Sequence, residues 1–262
     1  MPFIQAGGHR LEIVRLPALQ PRHGAPAIVF LHEGLGSVSM WRDFPQQVAD
    51  ATGCEAVLYS RYGYGKSDRL IAPRTPRTMH DEALVVLPEL LDRLHIERPF
   101  LFGHSDGASI ALIHAGGAKR PIAGLVAMAP HVMLEDVTLA SIAQARLAYE
   151  TSNLRQRLAR HHADVDSAFW GWNRVWLDPA FRDWNIEEYL PRIDCPVLAI
   201  QGEDDEYGTM EQVDRIARGV RDTTTMKLAE CGHSPHRDQA HAVISATAAF
   251  ITRVLGKQRA AG

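Results

Sequence analysis

Cysteine is scarce in this chain: Cys54, Cys195 and Cys231 are all there is. They are odd in number, far apart and form no CxxC pair, which argues against a disulfide framework or a zinc knuckle and fits a reducing compartment. Charge of one sign is missing too. The 28 basic and 31 acidic residues are scattered and leave a net charge of −3. Without a basic stripe there is no electrostatic footprint for nucleic acid or for a membrane surface, so a small molecule is the expected partner. No apolar run approaches membrane-spanning length. The first twenty residues alternate polar and apolar (His9-Arg10-Leu11-Glu12-Ile13-Val14-Arg15-Leu16) and lack a signal-peptide core. The expectation is a soluble cytoplasmic protein.

What the chain does have is enough apolar residue, 46% of 262, for a sizeable core. Residues 2–16 read as a β-hairpin turning at Gly7-Gly8. Short apolar runs follow at 27–31, 55–60, 99–102, 122–128, 195–200 and 224–228, as expected of strands covered on both faces. Helical patterns separate them, at 43–52 with Pro45 in the first turn, 78–95, 209–218 and 237–255. Pro88 inside the second of these predicts a kink. This alternation predicts an α/β fold with a mostly parallel central sheet flanked by helices. Between 132 and 193 the strand-like runs stop. Polar amphipathic helices (141–162) lead into an aromatic cluster that holds four of the five tryptophans. The organisation predicted is a core of residues 1–131 and 194–262 with an inserted helical cap, or lid, at 132–193.

The chemistry centres on Gly103-His104-Ser105-Asp106-Gly107, a G-x-S-x-G pattern between an apolar strand and a helix. A serine wedged into so sharp a turn needs neighbours two residues away that are nearly free of side chain, and both are glycine. The helix that follows aims its N-terminal amides and positive dipole end at any anion formed there. Ser105 alone is a weak nucleophile; it needs a base, and the base needs an orienting carboxylate. Reactive groups in such a sheet gather beyond the carboxyl ends of the strands. Two loops there qualify: Gln201-Gly202-Glu203-Asp204-Asp205-Glu206, where the residues alone leave Asp204 and Asp205 as rivals, and Glu230-Cys231-Gly232-His233-Ser234, whose His233 competes with His236 and His32. The pair His161-His162 with Asp164 and Asp166 lacks the i, i+4 histidine spacing of a helical metal site and reads as a solvated face. No metal or cofactor is expected.

Together with His32-Glu33-Gly34-Leu35-Gly36 and Ser60-Arg61-Tyr62-Gly63-Tyr64-Gly65-Lys66-Ser67, these segments resemble the α/β-hydrolase fold family over essentially the whole chain. The resemblance implies a serine hydrolase with Ser105 as nucleophile, His233 as base and Asp205 as its carboxylate. It also implies an oxyanion hole from the amides of Asp106 and Gly34, with Leu35 as a rival to Gly34. Glu33 departs from the glycine usual in the family. Pointed inward it would repel the oxyanion, so it is expected to face loop amides or an arginine such as Arg61, with recognition of a polar substrate group as the alternative. Phe169, Trp172, Asn173 and Trp176 recur at helical spacing and are candidates for the substrate-binding wall, as against rings that only glue the cap to the core. A carboxylic ester or thioester with a small to medium apolar or aromatic acyl group is the expected substrate. Carbon–carbon bond hydrolysis, lactonase, amidase or perhydrolase chemistry, or a non-catalytic small-molecule receptor, are the alternatives on the same fold.

Overall fold

The computed structural model describes residues 2–261; Met1 and Gly262, the outermost positions of the expected core, lie outside it. Two antiparallel strands, β1 (Phe3–Ala6) and β2 (His9–Leu16), open the chain, turning at Gly7 and Gly8, both at positive φ. Strands β3 (Ile28–Leu31), β4 (Ala56–Tyr59), β5 (Phe100–His104), β6 (Gly124–Met128), β7 (Val197–Gly202) and β8 (Thr223–Leu228) complete an eight-stranded sheet. Its order is β1-β2-β4-β3-β5-β6-β7-β8, parallel from β4 onward. Every residue of β3 to β7 is buried, because helices cover both faces, whereas β8 at the edge is half-exposed.

The pleat sorts these strands by parity. Val29, Leu31, Val57, Leu101, Leu125 and Val197 face one core. Ile28, Phe30, Leu58, Phe102, Val126 and Leu198 face the other. Helix α1 (Phe44–Thr52) packs with the long C-terminal helix α10 (Ala240–Ala261) on the second face. The expected final helix is broken at Gln239, which separates the short α9 (Pro235–Asp238) from α10. On the first face lie α4 (Asp106–Gly117) and the helix expected at 78–95. That helix is α2 (Thr78–Asp81), one π-helical turn (Glu82–Val86) and α3 (Leu87–Arg93). Pro88 supplies no N–H, and the chain adjusts just before it: the Leu87 amide reaches back five residues to the Glu82 carbonyl.

Between β6 and β7 the chain builds helices: α5 (Asp136–Thr151), α6 (Leu154–Leu158) and α7 (Val165–Trp176). Helix α8 (Glu211–Gly219) then joins β7 to β8. Among the described residues, no helix is long and apolar enough to cross a membrane.

Candidate active site

Ser105 stands where β5 becomes α4, with φ 53° and ψ −120°, a strained conformation for a residue with a side chain. The two glycines around it are steric necessities. A Cβ on Gly103 would lie 2.3 Å from the Gly107 carbonyl, and one on Gly107 would lie 2.0 Å from the Leu31 carbonyl. The strain is held by β-sheet pairing below, where the Ser105 amide bonds the Met128 carbonyl, and by the first turn of α4 above.

Loops beyond β7 and β8 bring the other two groups. The Ser105 hydroxyl donates to His233 Nε2 at 2.9 Å, and His233 Nδ1 donates to both oxygens of Asp205 at 2.8 and 2.9 Å. Asp204 is exposed, and of the two it is Asp205 that contacts His233. Gly202 makes the approach possible, since a Cβ there would meet the Cys231 carbonyl at 2.1 Å. The Asp205 carboxylate also accepts from the Tyr207 amide, and Glu206 accepts from the His233 amide. Burial pushes Asp205 up, but the His233 hydrogen bond and charge outweigh it and hold the carboxyl below its ordinary range. Burial likewise pulls His233 down, and Asp205 more than compensates, leaving the imidazole raised. A hydroxyl donating to an imidazole whose far nitrogen is pinned by a carboxylate can lose its proton as it attacks.

The rival histidines are engaged elsewhere. His32 accepts the Arg61 amide at Nε2 and donates from Nδ1 to the Glu33 carbonyl. His236 is buried against Trp41 and Phe44, which pushes it down to about 2 and keeps it neutral. His162 is a correction to the solvated-face reading. It is buried, accepts the Gly65 amide at Nδ1 and donates from Nε2 to the Leu35 carbonyl, tying the segment after α6 to two core loops. Among the described residues, no group of three His, Cys, Asp or Glu is placed to hold a metal ion.

Gly34, Leu35 and Asp106 all border a cavity of about 330 Å³ that opens onto Ser105. Glu33 is there as well, and the arginine it meets is Arg237, not Arg61. Arg61 is fully buried and spends its guanidinium on the His32 and Glu33 carbonyls and on the Asp106 carboxylate at 3.6 Å. The Glu33 carboxylate turns instead toward His104 Nδ1 at 3.4 Å and Arg237 at 3.7 Å. His104, His131 and Tyr207 complete the surroundings of His233. None of the three carries a sequence signal of its own beyond lying next to a strand end or the acidic run.

The four candidates on α7 divide. Trp172 and Trp176 line the cavity, and Trp172 lies so close over Gly34 that a Cβ there would come within 2.1 Å of its indole nitrogen. Phe169 and Asn173 do not reach it. Phe169 stacks on Tyr149 of α5 at 3.7 Å, and the Asn173 amide donates to the Ile142 carbonyl. At about 100° per residue, the two tryptophans fall on one flank of the apolar stripe and the other pair on the opposite flank, against α5.

Comparison with known proteins places the chain in a family. A hydrolase of 2-hydroxy-6-oxononadienedioate and 2-hydroxy-6-oxononatrienedioate from Pseudomonas putida is 25% identical over 242 residues, covering 80% of this chain and 82% of its own. A 2-hydroxy-6-oxo-6-phenylhexa-2,4-dienoate hydrolase from Comamonas testosteroni is 23% identical over 237 residues, covering 79% and 81%. Among solved structures, an enol-lactonase from Burkholderia xenovorans superposes with a TM-score of 0.76 at 20% identity, over 96% of this chain and all of that one. The model of the alpha/beta hydrolase family matches residues 28–246, and the chain belongs to that family.

Proposed function

We propose that the protein hydrolyses a carboxylic ester or thioester of small to medium size through an acyl-enzyme on Ser105, with residues 132–193 acting as a cap. The observation that carries this reading is the continuous contact from the Ser105 hydroxyl through His233 to Asp205 at the floor of a cavity. His233 takes the Ser105 proton during attack, while Asp205 fixes its tautomer and stabilises the imidazolium. The developing oxyanion rests on the amides of Asp106, at the N-terminus of α4, and Gly34, both on the cavity wall. His233 then protonates the leaving group, and water repeats the sequence to free the acid. The cavity is near the lower end of the range for enclosed organic ligands. Trp172, Trp176 and Ile142 give it an apolar side.

The test is turnover of p-nitrophenyl esters of graded acyl length, alongside labelling by a fluorophosphonate. Wild-type turnover that Ser105→Ala abolishes, with one mass adduct on Ser105, is the expected result. Turnover undiminished in Ser105→Ala would overturn the reading, and ligand-induced thermal stabilisation without turnover would replace it with a receptor.

A second reading, carbon–carbon bond hydrolysis, draws on the names of the relatives from Pseudomonas putida and Comamonas testosteroni. Arg157 and Arg237 at the same cavity are suited to an acid group on such a substrate. Loss of the conjugated absorbance of 2-hydroxy-6-oxo-6-phenylhexa-2,4-dienoate on incubation, faster than any ester is cleaved, would favour it.

A further inference from the structure

His104 occupies the first variable position of the G-x-S-x-G turn and is fully buried, with its ring between the loops that carry Glu33 and His233. Its Nε2 lies 2.7 Å from the backbone carbonyl of His233. A carbonyl only accepts, so that nitrogen carries a proton. Its other nitrogen, Nδ1, lies 3.4 Å from Glu33 Oε2, within ion-pair reach, and among the described residues it has no hydrogen-bond partner. A neutral ring would therefore present a lone pair to a carboxylate inside the protein, an arrangement that costs free energy. One additional proton between the two groups turns the repulsion into attraction.

The surroundings favour keeping that proton there. His236, edge-on to His104, is pushed down to about 2, and His131 on the far side of His233 to about 3; burial is the main cause for both, so neither competes as a cation. Burial raises Glu33, but His104 outweighs it and holds the carboxyl well below its usual range. Arg237 approaches the second oxygen of Glu33 from the solvent side. Space for the carboxylate is reserved by Gly36, where a Cβ would stand 2.4 Å from Glu33 Oε2.

We propose that Glu33 and His104 are positioning residues that hold one proton between them and so clamp three loops together: the loop after β3 that carries Gly34, the Ser105 turn, and the loop after β8 that carries His233. This rests on the hydrolase reading for its kinetic consequence but not for its structural one. The His233 loop is then fixed at three points, the imidazole by Asp205, the amide by Glu206 and the carbonyl by His104. It also accounts for a glutamate where a glycine is the family's habit. The carboxylate is held by His104 and Arg237.

The test has a spectroscopic arm and a kinetic arm. Nitrogen-15 spectra of histidine-labelled protein, assigned with His104→Gln, should show Nδ1 of His104 displaced from the shift of an unprotonated ring nitrogen at neutral pH. The displacement should vanish in Glu33→Gln, which keeps the shape but not the charge. An unprotonated Nδ1 in the wild type would overturn the proposal, whether or not any ester is turned over. In the kinetic arm, Glu33→Ala should lower kcat on the order of 10- to 100-fold, the cost of misplacing a reacting group, with KM little changed. His104→Gln, whose amide can still donate to the His233 carbonyl, should retain more activity than His104→Ala. A rise in KM alone in Glu33→Ala would make Glu33 a substrate contact and sink the positioning role. If His104→Ala does not fold, the comparison of Glu33→Ala with Glu33→Gln carries the kinetic arm: similar losses in kcat that track a fall in melting temperature would also reject it.

Discussion

For His233, two opposing influences decide whether it can serve as a base near neutrality. Burial favours the neutral ring, the hydrogen bond and charge of Asp205 favour the imidazolium, and Asp205 prevails, so the group titrates above its ordinary value of 6.5. A base must be neutral to accept a proton, so kcat/KM should fall on the acid side as pH drops through that raised value. Asp205→Asn removes the raising partner and the tautomer control together. The acid limb should then move to lower pH while kcat drops by about 10⁴-fold, as loss of the orienting carboxylate does in a Ser-His-Asp triad. A pH–rate profile of both proteins checks this, and an acid limb that stays in place would mean that another group sets it. These roles were only partly legible in the sequence. Ser105 stands out because its turn demands glycines that can be read directly. Asp205 does not, because an acidic run looks solvated until Gly202 lets the β7 loop close on the β8 loop and buries one member. The partners of Glu33 were hidden for a related reason. Arg61 is the obvious cation in the neighbouring motif, but two carbonyls and Asp106 have already consumed it. The actual partner, His104, lies 71 positions away in sequence, at a distance that only the β3–β5 pairing closes.

Helix α7 divides its one apolar face between two tasks, and the division makes a prediction. Phe169 and Asn173 bind the helix to α5, whereas Trp172 and Trp176 roof the cavity. Phe169→Ala should therefore act on stability, by about 3–5 kcal/mol for a fully buried aromatic, and leave acyl-length preference where it was. Trp172→Ala should do the reverse. Its ring borders open space and lies over Gly34, so its loss enlarges the cavity and should raise kcat/KM for long or bulky acyl groups relative to acetyl by about tenfold, the order of discrimination one apolar contact provides. Urea unfolding together with the ester panel separates the two outcomes. If Trp172→Ala merely unfolds earlier with selectivity intact, the ring is structural glue. Helical periodicity revealed the stripe but not its division, because that depends on where α5 docks. Likewise, Pro88 announced a disturbance in its helix, but its form, a single π turn, depends on which carbonyl the Leu87 amide finds.

Taken as a whole, the molecule buries a set of neutral imidazoles, and this gives its stability a predictable dependence on pH. Burial is the main cause that lowers His32, His114, His131, His162 and His236 below 6.5. In the unfolded chain these same groups titrate near the ordinary value. Below it the unfolded state therefore binds more protons than the folded one, and stability must fall as pH falls. Each such group can contribute about 1 kcal/mol per pH unit. Five acting together can exhaust a typical reserve of about 5–15 kcal/mol within a few units. His233 has the opposite sign. Its folded value is raised, so its contribution is complete below 6.5 and is lost as pH rises through the raised value. It leaves the acid slope untouched and adds a shallower loss on the alkaline side. Asp205 and Glu33, both lowered, contribute stability that is lost only when pH falls through the carboxylate range. Glu82 and Asp106, raised by burial, oppose this loss as pH falls, but the five imidazoles outnumber them, so urea midpoints should peak near pH 6.5–7 and fall toward pH 5. Because His162 joins the segment after α6 to Gly65 and Leu35, protonation there should loosen the helical segment over the cavity as part of the same transition. A midpoint that stays level from pH 7 to pH 5 would mean that water or a shared proton reaches these rings in the folded state.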